Sequence, residues 1–190
     1  INKDFFSINF SRANCACTVY GSTGLKHRKA CMLRKDKRVK EMNEMIRKRN
    51  EQLAKTVIKG LQSRNMSGYY AEDKEAALKQ ALELIPEGST IAMGGCMSAG
   101  EIGLISALEA GNYHYIDRSK MDARAGLMAA YDADIFLSSA NAITSDGVMV
   151  NIDGNSNRVS CIAQGPRKVI FIVGINKVSV SYTHLRAHET

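Results

Sequence analysis

A three-layer α/β fold, with a largely parallel sheet flanked by helices, follows from three observations. Between residues 66 and 174, apolar runs of strand length alternate with amphipathic helical stretches. That order belongs to parallel strands joined by right-handed crossovers. The apolar runs end in small polar loops, GGCMSAG at 94–100, SSAN at 138–141 and DGNSN at 153–157. Strands ending in such loops present backbone donors to a ligand in open α/β folds. The chain has 190 residues and is 45% apolar, enough for one domain with a real core.

In chain order, Val39, Met42, Ile46, Leu53, Val57, Ile58 and Leu61 keep helical spacing and predict a long helix to about Gln62. Gly60 lies near its end, and Asn65 and Gly68 mark the stop. The run MSGYYA at 66–71 predicts a strand, because paired tyrosines favour the pleated surface. Asp73 can cap a second helix over 74–85, whose Ala77, Leu78, Ala81, Leu82 and Ile85 form one apolar stripe. A turn at 86–88 leads to a strand at 89–93, the glycine loop, and a helix over 101–110 closed by Gly111 at its C′ position. A strand at 113–116 ends in Asp117-Arg118, and a helix over 122–131 follows. The stretch 134–177 then reads as one site-bearing unit: a strand to Ser139, a turn at Ser145-Asp146-Gly147, an extended segment, a short helix near 158–163, and the apolar strand KVIFIVG at 168–174.

Charge is segregated. The net charge of +7 divides into +11 over residues 1–65 and −4 over the rest. The basic third carries Glu41, Glu44 and Glu51 on the same helical pattern, without aromatic interleaving, which reads as a solvated helix face rather than a nucleic-acid site. No apolar run reaches the ~18 residues of a membrane span. Five cysteines, odd in number and without a CxxC pair, read as reduced thiols, and the expected location is cytoplasmic. Both ends look foreign. Residues 1–31 show no periodicity and read as a non-native or disordered extension, with Met32 as the start of the domain. Residues 179–190 read as a tail translated from a library adapter, which removes His184 and His188 from consideration. The domain proper is then 32–178, incomplete at its C-terminus.

Within that domain, the loop at 94–100 matches neither GxGxxG nor GxxxxGK[ST]. Its glycines still let backbone N–H groups approach a ligand, with Gly94, Gly95 and Ser98 as contacts. Cys96 has no histidine in a matched position and makes a poor nucleophile. Arg118 ends a strand on the edge where ligands gather, and Asn141 and Asn151 can position a carboxylate or hydroxyl. Asp117, Asp146 and Asp153 are the candidates for acid–base work, although turn chemistry alone accounts for Asp146-Gly147 and Asp153-Gly154. His114 reads as a core or edge histidine.

The motif NAIT-x-DG-x-x-VNIDG-x-x-NRV at 141–159, followed by GP-x-KVI-x-x-x-G-x-NK at 165–177, resembles the lactate-utilisation, or LUD-domain, family. YIDR at 115–118 and GG-x-x-S at 94–98 extend the likeness. The resemblance implies the fold of the sugar-phosphate isomerase and CoA-transferase-like superfamily. It also implies a part in oxidising lactate to pyruvate beside iron–sulfur partner proteins. The chain has no recognisable flavin, iron–sulfur or other metal motif, so an electron acceptor must come from a partner. Transferases of the superfamily use a glutamate nucleophile; here Glu101 is the only Glu near a strand-end loop, and Asn141 stands where an acid would serve.

The leading expectation is therefore a non-redox subunit or accessory protein of lactate utilisation that binds a small anionic metabolite. The alternative is a stand-alone isomerase or CoA/acyl-transferase-like enzyme. A third reading is a regulatory module acting through the basic helix.

Overall fold

A computed structural model describes residues 2–8 and 25–179, with side chains from residue 42 onward. The backbone of β1 (Asn2–Ile8) lies in the main sheet, and α1 runs from Leu25 to Gln62. Then come β2 (Ser67–Ala71), α2 (Lys74–Leu84), β3 (Thr90–Met93), α3 (Met97–Glu101), α4 (Leu104–Ala110) and β4 (His114–Ile116). A 3₁₀ turn over Arg118–Lys120 leads to α5 (Ala123–Asp132) and β5 (Ile135–Ser138). The chain continues through β6 (Ala142–Thr144), β7 (Met149–Val150), α6 (Asn157–Gln164) and β8 (Lys168–Gly174). It reaches β9 (Val178–Ser179) through a second 3₁₀ turn, Ile175–Lys177. The expected tail lies outside the described residues from 180 onward, as do residues 9–24 of the expected extension.

The main sheet has the order β2-β1-β8-β5-β3-β4, and its pairings are all parallel. The two-residue period of the strands sorts their side chains onto two faces. Ile91, Ile135, Leu137, Ile170 and Ile172 pack with Ala77 and Ala81 of α2, Ala99 of α3, and Leu104 and Leu108 of α4. Ala92, Phe136, Val169, Phe171 and Val173 pack on the other face with Val57 and Leu61 of α1, Ala130 of α5 and Cys161 of α6. The α/β layering expected from the alternating pattern is thus the observed one, with the basic α1 on one face. Each large apolar side chain sealed in these layers contributes roughly 1.5–3 kcal/mol relative to exposure.

Most local expectations follow their stated cause. The Asp73 carboxylate accepts from Ala76 N at 2.8 Å and starts α2. The turn at residue 147 closes with Gly147 at φ +83° and Gly147 N donating to Thr144 O. The flanking β6 and β7 pair antiparallel, and β6 pairs parallel with β9 to complete a small second sheet.

Two details differ. The helix expected over 101–110 is two helices, because Gly103 at φ +77° turns the chain between α3 and α4. Gly111 is extended rather than left-handed; a Cβ there would lie 2.8 Å from the Tyr113 ring, so contact and not dihedral freedom selects glycine. Gly60 lies near the end of α1, as expected, and has a further role. A Cβ on it would lie 2.3 Å from the carbonyl carbon of Asp146, so it is the point where α1 touches the β6–β7 turn.

Candidate functional site

Chain topology fixes where a ligand can sit. From β3 the chain passes through α3 and α4 on one face of the sheet, whereas from β5 it passes to α6 on the opposite face. β3 and β5 are neighbours. Their carboxyl ends therefore part around a crevice, the topological switch point at which open α/β sheets bind ligands. At this edge lies a cleft of about 690 Å³, walled by Gly94 and Gly95 after β3, Arg118 after β4, Arg124 of α5, and Asn155 and Arg158 at the start of α6.

Arg158 ties this edge together. Its Nη1 donates to Ser139 O at 2.8 Å, and its Nη2 donates to Ile152 O at 2.8 Å and to Asn141 Oδ1. A guanidinium has five N–H donors, so two remain for a ligand in the cleft it lines. The Phe136 ring and the Arg158 stem approach the β3 loop closely because Gly94 has no side chain. A Cβ on Gly94 would lie 2.6 Å from Phe136 Cζ and 3.0 Å from Arg158 Cγ. Gly95 is different: a Cβ there would meet nothing within 4 Å, and its φ is not left-handed. Packing does not demand that glycine.

A second cation stands behind the first. Lys177, just past β8, donates from Nζ to Ser139 Oγ at 2.9 Å and to Ala140 O at 2.8 Å. Partial burial pulls its pKa below the ordinary lysine value, with Arg158 adding to the effect. Cys96 is buried beneath the loop, and desolvation pushes its thiol up to about 11. A thiol so raised is protonated at neutral pH, so it is no thiolate nucleophile. Native protein treated with a thiol reagent at pH 8 should leave the Cys96 peptide unlabelled by mass spectrometry until denaturant is added. Rapid labelling of that peptide in the folded protein would contradict the buried, protonated thiol.

Of the residues expected to bind ligand, Gly94, Gly95 and Arg118 line the cleft. Asn141 reaches it through Arg158, and its Oδ1 also accepts from Ile152 N at 3.1 Å. Ser98 lies within α3, and Asn151 holds a buried Oδ1 with no hydrogen-bond partner among the described residues; neither borders the cleft. Glu101 ends α3, exposed, and His114 is exposed on the edge strand β4.

The three candidate carboxylates stand outside the cleft lining and have partners. Asp117 accepts from Ser119 Oγ at 2.6 Å, Ser119 N at 3.0 Å and Lys120 Nζ at 3.0 Å, and the Ser119 hydroxyl is the main reason its pKa is lowered. Asp146 accepts from the Thr144 hydroxyl, which lowers its pKa most, and pairs with Arg64 at 3.3 Å where α1 meets the turn. Asp153 Oδ2 accepts from Arg158 N at 2.6 Å and Val159 N at 3.0 Å, the latter lowering its pKa most. These bonds close the start of α6, where Ser156 at φ +56° gives no side-chain cap. A depressed carboxylate pKa adds stability above the unfolded value of about 3.9, and that stability is lost as pH falls through the folded value. Asp153→Ala should therefore lower Tm by a few degrees at pH 7 and flatten the loss of Tm below pH 4, as followed by circular dichroism. An unchanged Tm profile would show that the carboxylate does not hold α6.

Arg158, Lys177 and Arg124 were absent from the residues selected by sequence. Arg158 and Lys177 do fall inside the two motifs, NRV and NK. No group of three His, Cys, Asp or Glu side chains among the described residues is arranged to hold a metal ion. No described helix is long and apolar enough to cross a membrane.

Fold and edge together define an α/β protein with a cation-lined crevice at the switch point of a parallel sheet. The sequence matches the family model of the LUD domain over residues 54–187, and the chain belongs to that lactate-utilisation family. No curated protein and no solved structure matches.

Proposed function

We propose that this chain is a non-redox subunit or accessory protein in the oxidation of lactate to pyruvate, binding a small anionic metabolite in the crevice and working in the cytoplasm beside iron–sulfur partner subunits. The observation that supports this reading is the set of three arginines, Arg118, Arg124 and Arg158, in a cleft whose lining among the described residues includes no carboxylate. A guanidinium fork matches the two oxygens of a carboxylate such as lactate or pyruvate. Met97 at the start of α3, 82% exposed, and Ile152 in the loop after β7, 50% exposed, are large apolar groups of the same edge, suited to being covered by a partner.

The alternative of a stand-alone isomerase or transferase has less support. A carboxyl group acting as general acid near neutrality needs a raised pKa, and Asp117, Asp146 and Asp153 are all lowered. The test is lactate-dependent reduction of an artificial electron acceptor by the purified chain, alone and with co-purified partners. The subunit reading expects none from the chain alone and activity with iron–sulfur proteins attached. Turnover of lactate, a sugar phosphate or an acyl-CoA by the chain alone would overturn it.

A further inference from the structure

We infer that the preferred occupant of the crevice carries a phosphate or diphosphate group, and that a monocarboxylate alone fills only part of it. The inference rests on the reading of the crevice as an anion site and deepens it.

Charge favours such an occupant. Arg118, Arg124 and Arg158 make no ion pair among the described residues. The carboxylates nearest in sequence are engaged elsewhere. Asp117 holds Ser119 and Lys120, Asp122 accepts from Arg124 N and Ala125 N, and Asp153 closes α6. Three arginines lining one cleft place like charges together and favour an occupant with more than one negative charge. One carboxylate offers a single charge and one bidentate partner, whereas a phosphate ester or diphosphate offers two or more charges and several acceptor oxygens.

Space favours it as well. The cleft of about 690 Å³ falls in the roughly 300–1,000 Å³ range of sites that bury drug-sized ligands. Lactate, with six non-hydrogen atoms, is far smaller.

Gly95 opens the approach. It borders the cleft and is exposed, and neither packing nor a left-handed φ requires glycine there. A missing side chain that the protein itself does not need lets a bulky oxyanion approach the backbone.

The experiment is calorimetric titration of the protein with inorganic pyrophosphate, ADP, ribose 5-phosphate and L-lactate at one fixed ionic strength. It is run on wild type, Arg118→Ala/Arg124→Ala and Gly95→Leu, with Tm measured for each. The expected result is at least one phosphate compound binding ~10-fold or more tightly than lactate. The double variant should lose ~10-fold or more of that affinity while keeping its Tm, and Gly95→Leu should block binding by filling the cleft. ADP well above pyrophosphate would identify a nucleoside diphosphate, and ribose 5-phosphate above both a sugar phosphate; each supports the proposal. Lactate binding as tightly as every phosphate compound would overturn it and leave the anion site standing. Binding of no anion by the folded protein would overturn both. Phosphate affinity unaffected in the double variant and in Gly95→Leu would place the phosphate site elsewhere and overturn the proposal as well.

Discussion

Gly60→Ala is expected to destabilise the protein by roughly 3 kcal/mol or more, one of the two largest effects anticipated for a single substitution. Intrinsic helix propensity predicts the opposite sign, since alanine inside a helix is favoured over glycine by about 1 kcal/mol. Tertiary contact decides. The added methyl would sit 2.3 Å from the Asp146 carbonyl carbon and 2.7 Å from Gly147 N, both backbone atoms. From the other side, a Cβ on Gly147 would lie 2.4 Å from the Gly60 carbonyl carbon. Neither segment can yield by a rotamer change, so α1 must lift from the turn. The Arg64 contacts to Asp146 and the burial of Leu61 beside it would suffer with it. Urea denaturation checks this, with Gly95→Ala as a control expected to change stability by no more than ~0.5 kcal/mol. A Gly60→Ala protein as stable as wild type would mean that α1 does not approach the turn so closely.

Arg158 carries the second large effect. Arg158→Met should weaken binding of the tightest anion by about 100-fold, corresponding to roughly 3 kcal/mol from two charge-assisted hydrogen bonds. Arg158→Lys should rescue little of this. A lysine keeps the charge but has one nitrogen, and it cannot reach Ser139 O, Ile152 O and Asn141 Oδ1 while facing the ligand. The split between the two variants is informative: near wild-type affinity in Arg158→Lys would mean that charge alone matters and that the fork does not position the ligand.

How much of this was legible in the sequence depended on how local the cause was. Apart from Ser138 and Lys168, the strands at 135–138 and 168–174 are apolar and buried on both faces, so their pattern announced them. The cap at Asp73 is set by a backbone N–H three residues away. Contacts distant in sequence were not visible. Gly60 has the composition of a helix terminator and the role of a contact point with residues 146–147. Gly103 falls in a run that otherwise keeps helical spacing, and only its φ of +77° breaks the helix. At the site, glycines and a strand-end arginine drew notice because edge loops carry ligands in this architecture. Arg158 sits on a short helix beside Asn157, where an arginine ordinarily reads as a solvated charge. Its reach across 17 residues to Asn141 and 19 to Ser139 appears only once β5 and α6 are placed together. Asp153 shows the reverse: a carboxylate in a polar loop looked available for chemistry, and the fold uses it to start a helix.

The central claim is that anions enter the crevice between the carboxyl ends of β3 and β5. The most direct measurement is a ¹H–¹⁵N spectrum of the assigned protein titrated with L-lactate and, separately, with pyrophosphate at constant ionic strength. Shifts concentrated at the amides of Gly94, Gly95, Arg118, Arg124 and Asn157–Val159, with Gly60 and Gly147 unmoved, are the predicted result. Shifts centred on α1, or no saturable shift with either anion, would contradict the claim.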